Sequence, residues 1–300
     1  MQVRRFAENP IIRPHMDQRM GDNINGPSLI RVPDWIERPL GRYYLYFAHH
    51  DGRYIRLAYA DDLHGPWQTH EPGVLPLAAS HFAGHIASPD VLVDDDHQEI
   101  RLYYHGSEAA SGTGGGARGG GAPQFSRVAR SRDGLHFEAG AEILGRPYMR
   151  VFQHGGWYYA LGMPGVMYRS QDGLTGFEEG PVLFASTMRH SALKLDGDRL
   201  SIFYTHAGDC PERILLATVD LTPDWRSWQP SEPVPVLEPE TEYEGGNLPL
   251  EPSKRGLVMG PVRQLRDPAI YREGGQIYLL YSVAGEYGIA IAEIAKDASA

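Results

Sequence analysis

Short runs of alternating apolar and aromatic residues punctuate this chain at irregular intervals. YYLYF begins at 43, RLYYH at 101, YYALG at 158, SIFYT at 201 and IYLLY at 277. A period of two over five residues, rich in tyrosine and β-branched residues, predicts a strand. Each copy follows a second short apolar run across a Gly or Asp turn: PSLIRV at 27, PDVLV at 89, PYMRVF at 147, SALKL at 191 and PAIY at 268. Asp196-Gly197-Asp198 and Gly274-Gly275 read as hairpin turns between such pairs. Downstream of most copies comes a third run ending in a turn and an aromatic, as in RLAYADDLHGPW and SRVARSRDGLHFE.

A unit of four antiparallel strands, repeated five times with loops of varying length, predicts an all-β fold: a five-bladed β-propeller of four-stranded blades. Residues 1–300 are expected to form a single propeller domain. Its last run, GIAIAEI at 288 to 294, lacks a fourth strand, and NPIIRP at 9 to 14 is expected to supply it and close the ring. No long window has helical periodicity, which sets an α/β barrel behind this reading.

Composition narrows the function. The apolar fraction of 42% and charged fraction of 22% are those of a soluble globular chain. A net charge of −10 argues against a nucleic-acid partner, which would need clustered cations. No stretch approaches the roughly 20 apolar residues of a membrane span, and no signal peptide is evident at the start, so a cytoplasmic location is expected. The single cysteine, Cys210, cannot form an internal disulfide. Ser111 to Gln124 is glycine-rich but lacks a Walker ending, and reads as a surface loop between the second and third strands of blade two.

In a propeller the first strand of each blade lines the central channel, so the five strand starts converge on one funnel. These starts are DNINGP, HIASPD, GRPYMR, MRHSA and LRDPA. Their chemistry-bearing residues are Asp22, Asn23, Asn25, His85, Asp90, Arg146, Tyr148, Arg150, Arg189, His190, Arg266 and Asp267, a mixed-charge set suited to gripping a hydroxylated or anionic small molecule. An ion pair such as Arg266 with Asp90 is the plainer reading. Asp22, His85, Asp90, His190 and Asp267 together are also weighed as ligands of Ca²⁺ or Zn²⁺ on the axis, although no metal-binding spacing is present.

The unit of aspartate, proline, apolar strand, turn and aromatic strand resembles the five-bladed propeller glycoside hydrolases, especially family 43 and its relatives in families 32, 68, 117 and 130. The resemblance runs from about Asn9 to Ile294. It implies a glycosidase acting on a small carbohydrate, with a base in an Asp-Pro of blade one, a tuning aspartate in Ala-Pro-Asp of blade two and an acid glutamate before Gly-Pro in blade three. Ser88-Pro89-Asp90 matches the second, whereas blade one reads Asn25-Gly26-Pro27 and blade three Gly145-Arg146-Pro147. Glycoside hydrolysis generally needs two carboxyl groups, so two of three expected positions have changed.

Substitutes are at hand. Asp22 or Asp267 is expected as base, Asp90 as the tuning group, and His190 as the group that protonates the leaving oxygen. Glu244, in a long loop before blade five, is a reserve acid; Glu286 is expected at the rim or paired with an arginine. Trp35 and His49 or His50 are further sugar contacts to test. Arg150, Arg189 and Arg266 at three blade mouths would hold a carboxylate or phosphate, pointing to a uronic acid or to phosphorolysis. A non-catalytic sugar-binding propeller is the rival reading, and a lyase working through histidine and Tyr148 a third.

Overall fold

The structure, a computed structural model, describes residues 1–108 and 123–295. The glycine-rich segment falls almost wholly outside these residues, with Gln124 inside them.

Five antiparallel sheets form the blades of a propeller. Blade one runs Asn25–Arg31, Tyr43–Ala48, Tyr54–Ala60 and Gln68–Thr69, with a short extra strand at Leu75–Pro76. Blade two runs Ile86–Asp94, Glu99–Ser107, Gln124–Ser131 and Glu138–Ala139; blade three Arg150–His154, Trp157–Gly162, Val166–Ser170 and Glu178–Val182. Blade four runs Met188–Asp196, Arg199–His206, Ile214–Asp220 and Val234–Leu237. Blade five takes Arg266–Glu273, Gln276–Ser282 and Ile289–Ala295 from the end of the chain and Gln2–Arg5 from its start.

The ring therefore closes through Gln2–Arg5, paired from Gln2 with Ala295 to Arg5 with Ala292. The expected closing stretch at 9 to 14 makes only an isolated bridge, Ile12 with Ile289. Its two prolines, which lack amide donors, explain why the ladder prefers QVRR.

The first strand of every blade contacts the first strands of both neighbours, so these five strands form an inner ring. The apolar core is correspondingly divided into layers between blades. In blade one, Tyr43, Leu45 and Phe47 pack toward blade five, whereas Tyr44 and Tyr46 pack toward blade two. A blade is buried on both faces, which is why its aromatic strands carry large residues at both parities. No described helix is long and apolar enough to cross a membrane.

Candidate functional site

The starts of the first strands share a backbone device. Strand register slips between Asn25 and Ser28 in blade one, Ala87 and Asp90 in blade two, Arg189 and Ser191 in blade four, and Arg266 and Ala269 in blade five. Within each slip one residue is left-handed: Gly26 at φ 60°, and Ser88, His190 and Asp267 at 48°; in blade three Tyr148, just before the strand, sits at 64°. Such a conformation costs a non-glycine residue about 1–3 kcal/mol and persists where its surroundings enforce it. Bulges re-aim side chains, and Ser88, Tyr148, His190 and Asp267 all border one cavity of about 160 Å³. Blade one needs glycine here, because a Cβ on Gly26 would lie 2.8 Å from the Ser88 Cα.

Asp267 is the chemical centre of this cavity. Its Oδ1 accepts a hydrogen bond from the Tyr148 hydroxyl at 2.6 Å, while its buried Oδ2 has no protein partner among the described residues. Burial, then the nearby Glu286 charge, pushes the Asp267 carboxyl above its ordinary range. Burial likewise holds the Tyr148 phenol well above its own, so Tyr148 keeps its proton and donates it in the hydrogen bond.

His190 Nε2 lies 3.7 Å from Asp267 Oδ1, but Arg189 Nε and Nη2 donate to that same nitrogen at 3.0 and 2.9 Å. Nδ1 then faces Thr205 Oγ1 at 3.4 Å, whose hydroxyl donates to Glu212 Oε1 at 2.7 Å. Burial, with the charges of Arg189 and Arg266, drives the His190 pKa well down. A neutral ring whose Nε2 lone pair meets a guanidinium has no proton to give there. The proton-donor role expected of His190 thus lacks a physical basis in this geometry.

A second histidine differs. His50 borders the same cavity, and its Nδ1 lies 3.2 Å from Glu286 Oε1. Glu286 also accepts from Asn23 Nδ2 at 2.7 Å and Arg266 Nη1 at 2.8 Å, and Asn23 Oδ1 accepts from the His50 amide at 2.8 Å. Burial opposes charge on both groups, yet their mutual hydrogen bond prevails. His50 is raised, and Glu286 is lowered to about 2, helped by Arg266. The pairing favours the charged imidazole, held through Nδ1 by an ionised carboxylate on a ring that borders the cavity.

Of the residues singled out in the sequence, Asn25, His50, Tyr148, Arg189, His190, Asp267 and Glu286 border the cavity, whereas Trp35 and His49 do not. Asp22, His85, Asp90, Arg150, Arg266 and Glu244 do not. Asp90 Oδ2 accepts from the Val151 amide at 2.9 Å and Oδ1 lies 3.9 Å from Arg150 Nε, so it ties blade two to blade three. Arg266 pairs with Glu286 rather than with Asp90. His85 lies edge-on to His105 at 5.9 Å between ring centroids, with Nδ1 3.4 Å from Ser107 Oγ. Arg150 donates to the carbonyls of Ser191 and Ser88 and covers the Tyr148 ring at 4.1 Å. Glu244 is enclosed by Arg5, Tyr281 and the amides of Glu240 and Thr241.

Two expectations lose their footing in these contacts. Arg189 and the fully buried Arg266 spend their donors on protein acceptors, Arg266 on Gln264, Glu286 and the Gly256 carbonyl, and Arg150, whose Nη2 alone lacks a partner among the described residues, does not border the cavity, which weakens the case for an anion clamp. Among the described residues no group of three or more His, Cys, Asp or Glu could hold a metal ion. The axial Ca²⁺ or Zn²⁺ set does not fit: His190 Nε2 is taken by Arg189, Asp90 by Val151 and His85 by Ser107.

His105, Glu212, His50 and Glu286 carry chemistry the strand starts did not announce. Their signal was antiparallel pairing itself: the end of each second strand returns beside the start of the first, as Ala87 pairs with His105 and Asn25 with Ala48. The histidines closing YYLYFAHH and RLYYH therefore belong to the same mouth.

Comparison with known proteins agrees with this architecture. No family model matches the chain. Uncharacterized protein R118 of Acanthamoeba polyphaga mimivirus is 35% identical over 331 aligned residues, covering 98% of this chain and 90% of that protein. The chain belongs to the family of protein R118. Among solved structures, a putative glycoside hydrolase from Parabacteroides distasonis aligns with a TM-score of 0.68 at 13% identity, covering 98% of this chain and 97% of that one. The GH43_1 enzyme from Xanthomonas citri aligns with a TM-score of 0.62 at 15% identity, covering 96% and 91%. The fold of this R118-family protein is thus that of the family 43 propellers, at a sequence distance that speaks for fold alone.

Proposed function

We propose that the protein cleaves a glycosidic bond of a small carbohydrate in the axial cavity by general acid–base catalysis. The observation that carries this reading is Asp267: a buried carboxyl of raised basicity, one oxygen fixed by Tyr148 and the other unpartnered, on a left-handed residue at the cavity wall. Perturbed pKa values and backbone strain coinciding in a cleft favour a catalytic site over a structural one. Asp267 takes a proton from the attacking water as the bond to the sugar forms. His50 gives its Nε2 proton to the departing glycosidic oxygen. Glu286, anchored by Asn23 and Arg266, orients the ring and stabilises its charged form before transfer. A family 43-like fold supports this reaction class, and a cytoplasmic setting belongs to the same reading.

The scheme requires Asp267 ionised and His50 protonated at once. Because Asp267 is raised above 3.8 and His50 above 6.5, kcat/KM should rise along a limb displaced upward from 3.8 and fall along one displaced upward from 6.5. His50→Gln should abolish the falling limb and lower turnover about 10²-fold or more. An unchanged profile in that variant would remove His50 from the reaction.

A non-catalytic sugar-binding propeller is the second reading, favoured by Gly26 and Gly145 standing where family 43 resemblance calls for carboxyls. Turnover of an aryl glycoside panel, measured beside calorimetric binding of the parent sugars, separates the two. Binding with no turnover of any glycoside would retire the enzyme in favour of the binder.

A further inference from the structure

We propose that Asn25 and His105 are hydroxyl-reading residues for a neutral, polyhydroxylated sugar ring, an inference that rests on the carbohydrate reading above. Asn25 and His105 are 4% and 7% exposed, come from the adjoining blades one and two, and both border the axial cavity. Asn25 Oδ1 and His105 Nδ1 are buried without a protein partner among the described residues. With Asp267 Oδ2 they make three buried, unpartnered polar atoms on residues that border one cavity. Buried polar atoms are ordinarily paired, so a group of this kind points to a ligand that completes it.

The chemistry of that ligand follows from the atoms. An amide oxygen and a carboxylate oxygen accept hydrogen bonds, and a hydroxyl supplies them. Burial, with the charges of His85 and His50, keeps the His105 ring neutral, and a hydroxyl both donates and accepts, so it meets Nδ1 in either tautomer. A carboxylate has no proton for Asn25 Oδ1 or Asp267 Oδ2, and Arg189 and Arg266, which might have gripped it, donate to protein acceptors.

Size and shape agree. The cavity of about 160 Å³ is smaller than the roughly 300–1,000 Å³ of drug-sized sites, which suits one sugar ring better than a chain. Tyr148, tilted against His105 and His190 with centroids 5.9 and 5.2 Å away and covered on one face by Arg150, borders the same cavity.

The test is calorimetric titration of the full chain with D-xylose, L-arabinose, D-galactose, D-glucose and D-glucuronate. It is followed by singly fluorinated derivatives of the tightest neutral binder, since fluorine replaces a hydroxyl without being able to donate. A neutral sugar should bind more tightly than glucuronate. At least two fluorinated positions should bind about tenfold to a hundredfold more weakly. Asn25→Ala and His105→Ala should each erase the discrimination at one of those positions. The fluorinated series on the unaltered protein decides the matter even where a variant fails to fold. Absence of neutral-sugar binding, preference for glucuronate, or uniform affinity across the series overturns the proposal. Hydroxyl discrimination without turnover of any glycoside would leave it standing while the catalytic reading falls; turnover without discrimination would do the reverse.

Discussion

Glu244 and Asp267 are both buried carboxylates that accept a hydrogen bond from a tyrosine, Tyr281 at 2.8 Å and Tyr148 at 2.6 Å. Around Glu244 every valence is met. Arg5 Nε donates to Oε1 at 2.8 Å, the amides of Glu240 and Thr241 donate to Oε2 at 2.9 and 3.0 Å, and Glu244 completes a capping box with Thr241. Burial works against the Glu244 charge, but Arg5 and these amides overcome it and hold the carboxyl below its ordinary range. Asp267 has the tyrosine alone, a strained backbone, an unpartnered oxygen and a pKa moved the other way. The first arrangement fastens the N-terminal strand to the loop before blade five. The second leaves binding capacity unspent beside a cavity, and that surplus is the ground for proposing Asp267, and not Glu244, as the reacting carboxylate.

The largest expected effect falls on the structural side. Glu244→Ala takes the acceptor from Arg5 Nε, the Tyr281 hydroxyl and two amides, leaving Arg5 with Glu240 and the Glu238 carbonyl, and should lower stability by roughly 3 kcal/mol, read from a denaturant midpoint at constant slope. Turnover per folded molecule should be unchanged; a selective loss of turnover would erase the contrast between the two sites.

Acid should act on Glu286 next. A carboxyl held at about 2 in the folded protein and at its ordinary 4.5 in the unfolded chain contributes stability that is complete above 4.5 and lost as pH falls toward 2. Glu286→Gln should flatten that part of the stability curve by a few kcal/mol. A parallel decline in variant and parent would detach Glu286 from its ion pairs. The smallest effect belongs to the rim: Arg4 pairs with Glu293 but its side chain is 76% exposed, so Arg4→Ala should shift stability by less than about 1 kcal/mol.

The sequence made blades legible because alternation and turn chemistry are local. YYLYF and its four relatives announced the second strands, and the Asp-Pro and Ser-Pro starts marked where first strands enter the channel. It also placed Tyr148, His190 and Asp267 in one pocket, since ring closure leaves strand starts nowhere else to converge. Side-chain direction was less accessible. Asp90 lies two residues past the bulge at Ser88, and its carboxylate turns to blade three instead of the cavity. Glu244 looked like a loop acid able to overhang the funnel, but pairing of Gln2–Arg5 with the last strand brings Arg5 onto it, a contact between opposite ends of the chain. Glu212 gave no local sign, because its importance comes from three partners on other strands, Arg189, Thr205 and Arg266.

The central claim is that Asp267 serves chemistry and not stability, and Asp267→Asn tests it directly. Asparagine tolerates the left-handed backbone and can still accept from Tyr148. Because Asp267 is raised in the folded state, ionising it above that pKa weakens the fold, and the amide removes that penalty. Turnover and thermal midpoint measured together at neutral pH should show catalysis lost about 10²–10⁴-fold with the midpoint equal or higher. Full turnover, or lost turnover accompanied by a collapsed midpoint, would contradict the account.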